Sequence, residues 1–316
     1  MNRLADIEGR IASIRELLNI VGAMRSLAGM RVQEAQQALP GIQRYTESMA
    51  AAIRSALLLM PAATAQKPNA SGSEALVLCA GEHGFVGGFN ERLLEAAETA
   101  LGASDSLFIL GSRGAVLATE RELEVAWSRP IATRPAGVSR LVNELATELY
   151  SHIVRGEFSR VEVMFTRYTR GVEPNIERVQ VLPLNISRLA AREPRQAPLH
   201  NLDAERLFEK LTGEYVFATL TEAAVESIAS ENAARFAAMD SAHRNVSQKL
   251  DELREQARQA RQTEITTELL DLITGAEAQG HGGRPSESRG SPSDFIYKRR
   301  RAREQDDGVT SESGHD

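Results

Sequence analysis

The chain has 316 residues, of which 42% are hydrophobic and 25% charged, ordinary proportions for one large or two smaller domains that bury a core. Its net charge of −6 gives no global basic field, which argues against non-specific nucleic-acid binding. A single cysteine, Cys79, excludes an internal disulfide framework and fits a reducing compartment. No apolar stretch reaches the ~18 residues of a membrane span.

Residues 1–60 carry a heptad pattern. One series runs Leu4, Ile11, Leu18, Arg25, Val32, Leu39, Thr46, Ile53, Met60; its companion runs Ile7, Ile14, Val21, Ala28, Ala35, Ile42, Met49, Ala56. Only Arg25 and Thr46 interrupt the apolar rule, so the spacing predicts the seam of a left-handed coiled coil. Such a helix reaches roughly 90 Å at 1.5 Å per residue, and so long a seam needs a long partner. Pro40-Gly41 lies inside it, and an interior proline predicts a kink, or two separate helices.

The stretch after Met60 is small, polar and proline-containing, a linker. Residues 74–185 then read as an inserted α/β, Rossmann-like domain. Strands are expected at Ala75–Ala80, Ser106–Leu110, Leu123–Trp127, Val161–Tyr168 and Ile176–Leu184, with helices at Glu91–Leu101, Arg113–Arg121 and Ser139–Val154. The glycine-rich run Gly81–Asn90 after the first strand invites a phosphate-binding reading, but it matches neither G-x-x-x-x-G-K-[ST] nor G-x-G-x-x-G. Turn glycines explain it better. The histidines show no metal-ligand spacing, and no nucleophile–base pair is legible.

Residues 185–205 form a second linker. From 207 to 278 the chain is helical again, with an alanine-rich stripe from Leu220 to Ala260 and Gly275 as a candidate C-cap. Residues 279–316 are rich in Gly, Ser, Pro and charge and are expected to be a disordered tail. Its basic run Lys298–Arg303 is followed by Glu304, Asp306 and Asp307, which weaken its attraction for polyanions. The expected fold is mixed α and β: an antiparallel coiled coil of terminal helices carrying the α/β insert at one end.

Several motifs resemble one family. Ile20-Val21-Gly22-Ala23-Met24, continued by Leu27-Ala28, looks like an I-T-K-A-M opening helix; Tyr45–Met49 resembles Y-A-E-T-M; Gly84–Asn90 resembles G-L-C-G-G-L-N. Ser230–Phe236 is similar to S-E-Q-A-A-R-M, and Ala260–Leu269 to A-R-Q-A-S-I-T-Q-E-L. Together these resemble the gamma subunit of F-type ATP synthases over roughly residues 1–278. Gly22 in place of the motif's lysine, Val86 in place of its cysteine and Arg258 in place of a polar residue suggest a divergent branch, a second ATP synthase type.

The resemblance implies a non-catalytic central-stalk rotor without a cofactor. Its partners would be the alpha and beta ring, the epsilon subunit and the membrane c-ring, at the cytoplasmic face of a bacterial inner membrane. It places Met24 near a mobile acidic loop of a catalytic subunit, with Arg25 and Arg31 as basic candidates. It also makes Arg235, Arg261, Gln262, Thr266 and Glu268 contacts with the surrounding ring. From the residues alone, two alternatives stand beside it: a coiled-coil scaffold with an α/β binding module, and a small nucleotide-dependent enzyme in residues 74–185.

Overall fold

The computed structural model describes residues 3–60, 73–169, 174–185 and 199–280. The two linkers fall largely, and the tail beyond Gly280 wholly, outside these residues. The elements in chain order are α1 (Arg3–Leu57), β1 (Ser73–Cys79), α2 (Phe89–Ala100), β2 (Ser106–Leu110), α3 (Ser112–Glu120), β3 (Val125–Arg129), α4 (Val138–Val154), β4 (Phe158–Arg167), β5 (Asn175–Leu182) and α5 (Ala204–Gly280). Residues up to Ala257 make one compact unit, and those from Arg258 a second.

α1 is a single helix of 55 residues with Pro40 inside it. Two separate helices are therefore excluded. Proline removes one backbone donor, but Leu39, immediately before it, is buried against the core and Ile42 packs there too. Burial on both sides of the proline favours the continuous helix. The buried positions of α1 are Ile7, Val21, Ala28, Ala35, Leu39, Ile53 and Ala56, all members of the two heptad series.

α5 lies antiparallel beside α1. Gly22 faces His243 and Gly29 faces the Phe236 ring, each so near that an added Cβ would touch it at 3.7 and 3.5 Å. Arg25 Nη1 donates to Asp240 Oδ1 at 2.9 Å, and the Tyr45 hydroxyl donates to Glu214 Oε2 at 2.7 Å. Ile14 and Leu253 line one open groove. Rising numbers on α1 meet falling numbers on α5. A Cβ at either glycine would make only ordinary van der Waals contact, so these positions show the facing of the helices rather than a need for glycine.

The sheet has the order β3-β2-β1-β4-β5, parallel except for the antiparallel β4–β5 pair. Strand β1 alternates strictly: Ala75, Val77 and Cys79 face one core, Leu76, Leu78 and Ala80 the other. Helices α2 and α3 cover the second face through Leu93, Leu94, Ala97 and Ala118. The first face is covered by α4, through Val138, Leu141, Val142, Leu145 and Leu149, by Val216–Ala229 of α5, and by Ala35 and Leu39 of α1. The insert therefore shares its main core with both terminal helices.

Strands fall within a few residues of the expected ranges; β2 matches at both ends, and β3 begins two residues later than expected. One expected stop is overturned. Gly275 does not cap α5, which continues to Gly280; an isolated helical glycine costs only about 1 kcal/mol and does not by itself end a helix.

Candidate functional site

In a sheet of this order the chain leaves β1 toward β2 on one side and β4 toward β5 on the other, so their carboxyl ends flank the point where α/β folds place ligands. Here α5 fills it. Ser227 Oγ donates to the Cys79 carbonyl at 2.5 Å, and Ser230 Oγ donates to the Thr166 carbonyl at 2.6 Å. Both serines are buried. Just before them, Arg167 Nη1 donates to the buried Glu226 carboxylate at 2.7 Å, while Arg167 Nε donates to Glu177 at 2.6 Å. Burial raises the Glu226 pKa above the ordinary carboxylate value, with Arg167 opposing it. The Glu177 hydrogen bond, foremost, raises the Arg167 pKa further.

The glycine-rich run is fastened to the same stretch of α5. His83 N donates to Glu231 Oε1 at 3.2 Å, and Arg235 donates to the carbonyls of Gly84 and His83 and to Glu231 Oε1, the last at 2.5 Å. Gly81 N donates to Asn90 Oδ1 at 2.7 Å. The turn carries Phe85, 69% exposed, at φ 61°, an uncommon conformation for a bulky residue. The start of α3, a place suited to anions, is taken by Glu82, whose carboxylate accepts from Ser112 N, Ser112 Oγ and Ile131 N. Gly111 and Gly114 let α3 press on β1: a Cβ on Gly111, which sits at φ 120°, would lie 2.5 Å from the Ala80 carbonyl oxygen, and one on Gly114 would lie 2.2 Å from Ala80 Cβ. The N-terminus of α3 is thus occupied by the chain's own carboxylate and hydroxyl.

The sequence-predicted contact residues separate into three groups. Met24 is half-buried on α1, and Arg25 beside it pairs with Asp240, which also accepts from Arg244. Arg31 pairs with Glu34 on its own helix. Arg235 is only 12% exposed and its donors are turned inward. In the second unit, Arg261, Gln262, Thr266 and Glu268 are exposed; Thr266 Oγ1 donates back to the Gln262 carbonyl. Sequence reasoning passed over their neighbours. Ile265, Leu269, Leu272 and Ile273 are each more than half exposed, and their spacing puts them on one helix face. That spacing was visible in the sequence and was the available signal.

The comparisons with known proteins bear on both the helices and the insert. Residues 3–279 match the family model described as ATP synthase. The chain belongs to the ATP synthase gamma family. Relatives called ATP synthase gamma chain include one from Geotalea uraniireducens, 25% identical, spanning 88% of this chain and 99% of its own length. Another from Synechococcus elongatus is 27% identical with the same coverage. The fold is similar to a chain of the Euglena gracilis mitochondrial ATP synthase OSCP/F1/c-ring assembly in rotational state 3, at a TM-score of 0.60 and 13% identity. That match covers 91% of this chain and 99% of the other.

Among the described residues, no helix is long and apolar enough to cross a membrane.

Proposed function

We propose that this chain is the central-stalk rotor of a rotary ATP synthase, a non-catalytic subunit that links an ion-conducting c-ring to the alpha and beta ring. The observation that carries this reading is the antiparallel pair of long helices built around an internal sheet, within a family match that spans both. An isolated 55-residue helix has no reason to keep a continuous apolar seam; two paired ones gain stiffness from it. The buried heptad positions of α1 and the buried Leu250 and Leu253 of α5 support a coiled coil.

The mechanism follows from asymmetry. Two helices with different side chains present a different face to each of three catalytic sites. Each 1.4 kcal/mol of differential contact shifts a site's nucleotide affinity about tenfold. Linkage makes the effect reciprocal, so ion-driven rotation releases product and hydrolysis turns the shaft backwards. In this reading Met24 and Arg25 face a catalytic subunit near one end of the pair. Arg261, Gln262, Thr266 and Glu268 contact the ring beside the apolar stripe Ile265–Ile273. Arg235 contributes indirectly, by holding the glycine-rich turn. The sheet region meets the epsilon subunit and the c-ring, and the complex sits at the cytoplasmic face of a bacterial membrane. The coupled ion, proton or sodium, is decided by chemistry in the c-ring. The departures at Gly22, Val86 and Arg258 fit a divergent second type of synthase.

Mixing the purified chain with alpha and beta subunits of the same organism tests this directly. A stable complex with ATPase activity is expected. Absence of that complex would favour a scaffold protein.

A further inference from the structure

Resting on the rotor reading, we infer that the buried polar contacts between α5 and the sheet form a torque-transmitting joint, so that torque passes between the globular insert and the shaft through α5 rather than α1. The joint comprises Ser227 on the Cys79 carbonyl, Ser230 on the Thr166 carbonyl, Glu226 with Arg167, and Glu231 with Arg235 on the glycine-rich turn. These contacts grip the carboxyl ends of the central strand β1 and its neighbour β4, and the turn beyond β1.

Both helices bury apolar side chains in the sheet's core, and α5 adds buried side-chain hydrogen bonds to strand carbonyls. α1 contributes Ala35, Leu39 and Ile42 to the core. Apolar burial is non-directional, so a small misalignment there costs only what area and packing it loses. A hydrogen bond weakens steeply with misalignment, and a buried carbonyl that loses its donor has no water to replace it. Rotation of the sheet about the helix axis must break the serine bonds before the apolar core opens. The arrangement also explains why serines, rather than alanines, stand on a helix face that is otherwise fully enclosed: residues 223–232 are buried at every position.

Ser227, Ser230, Glu226 and Arg235 are thus positioning residues, remote from any chemistry, and their loss should appear only under load. The test uses the complete ATP synthase of the organism reconstituted in vesicles, comparing wild type with Ser227→Ala/Ser230→Ala and with Leu39→Ala. ATP hydrolysis and ions pumped per ATP are measured with the gradient collapsed and then as it builds. The serine double variant should match wild type with the gradient collapsed and lose about twofold or more in ions pumped per ATP as the gradient rises. Leu39→Ala should lower the melting temperature of the chain while keeping the wild-type load dependence. Restoring one hydroxyl, in the Ser227→Ala single variant, should recover part of the loss. An assembled, hydrolysing double variant that pumps like wild type at every gradient would overturn the joint while leaving the rotor reading intact. Equal slippage in Leu39→Ala would also overturn it. A wild-type chain that forms no ATPase complex would remove the rotor reading, and the joint with it.

Discussion

Two stretches of α5 obey opposite rules. Between Val216 and Asn232 nearly every side chain is enclosed, polar ones included: Ser227, Ser230, Glu226 and Glu231 each have a partner within the chain. Between Ile265 and Ile273 even the leucines are exposed. A helix hydrophobic on one face normally buries that face, and exposed apolar patches mark surfaces meant for partners. The proximal stretch is interior, although Thr221 Oγ1 and Glu226 Oε2 have no hydrogen-bond partner in it. The distal stretch leaves its apolar face uncovered, and the rotor reading proposed above makes that face a partner surface.

The sharpest way to break this contrast is a cavity in the proximal stretch. Ile228 is 1% exposed and belongs to the main core. Ile228→Ala should destabilise the chain by about 2–5 kcal/mol, read from urea or thermal unfolding. A loss below about 1 kcal/mol would mean that the stretch is less enclosed than its burial indicates.

A second test concerns charge. Burial raises the Glu226 pKa in the folded chain above its unfolded value. A raised folded pKa means that the native state binds the proton more tightly. This contribution to stability is therefore fully present below the unfolded carboxylate range and is lost as pH climbs through the folded value. Glu226→Gln should flatten that decline, making stability less dependent on pH above the ordinary carboxylate range. A steeper decline in the variant would show that Arg167, not burial, dominates at this site.

Much of this was readable beforehand, for identifiable reasons. Heptads at Val21, Ala28, Ala35 and Leu39 and strict alternation at Ala75–Ala80 are patterns that burial imposes directly on residue type. The all-round enclosure of Ser227–Asn232 was not readable. Polar residues on a helix ordinarily signal solvent, and only the strand order brings the Cys79 and Thr166 carbonyls to meet them. Arg235 shows the same limit: its motif pointed to a partner, whereas its geometry spends the guanidinium on Gly84, His83 and Glu231. The error at Gly275 was local, a glycine read as a stop where the helix runs on.

A smaller effect belongs to the boundary between the helices. Arg25 and Asp240 are about one-third exposed, and ion pairs at that exposure are worth ~0–1 kcal/mol. Arg25→Ala should lower stability by less than about 1 kcal/mol and less still at high salt. If the same variant sharply reduced ATPase activity in the complex, Arg25 would be meeting a partner as well as Asp240.

The smallest effect on folding, and the most telling for the comparison, belongs to the distal stripe. Leu269 and Leu272 are 55% and 70% exposed, so replacing both with serine removes little buried area and should change the stability of the isolated chain by less than about 0.5 kcal/mol. In the assembled enzyme the same side chains are expected to be covered. Burying an apolar side chain of this size is worth ~1.5–3 kcal/mol, so the double substitution should weaken association with the alpha and beta ring by about tenfold or more. Titrating labelled chain against that ring measures this, with unfolding of the free chain as the control. Equal binding by wild type and variant would mean that the stripe stays exposed in the complex, and the division of α5 into interior and interface would fail at its distal end.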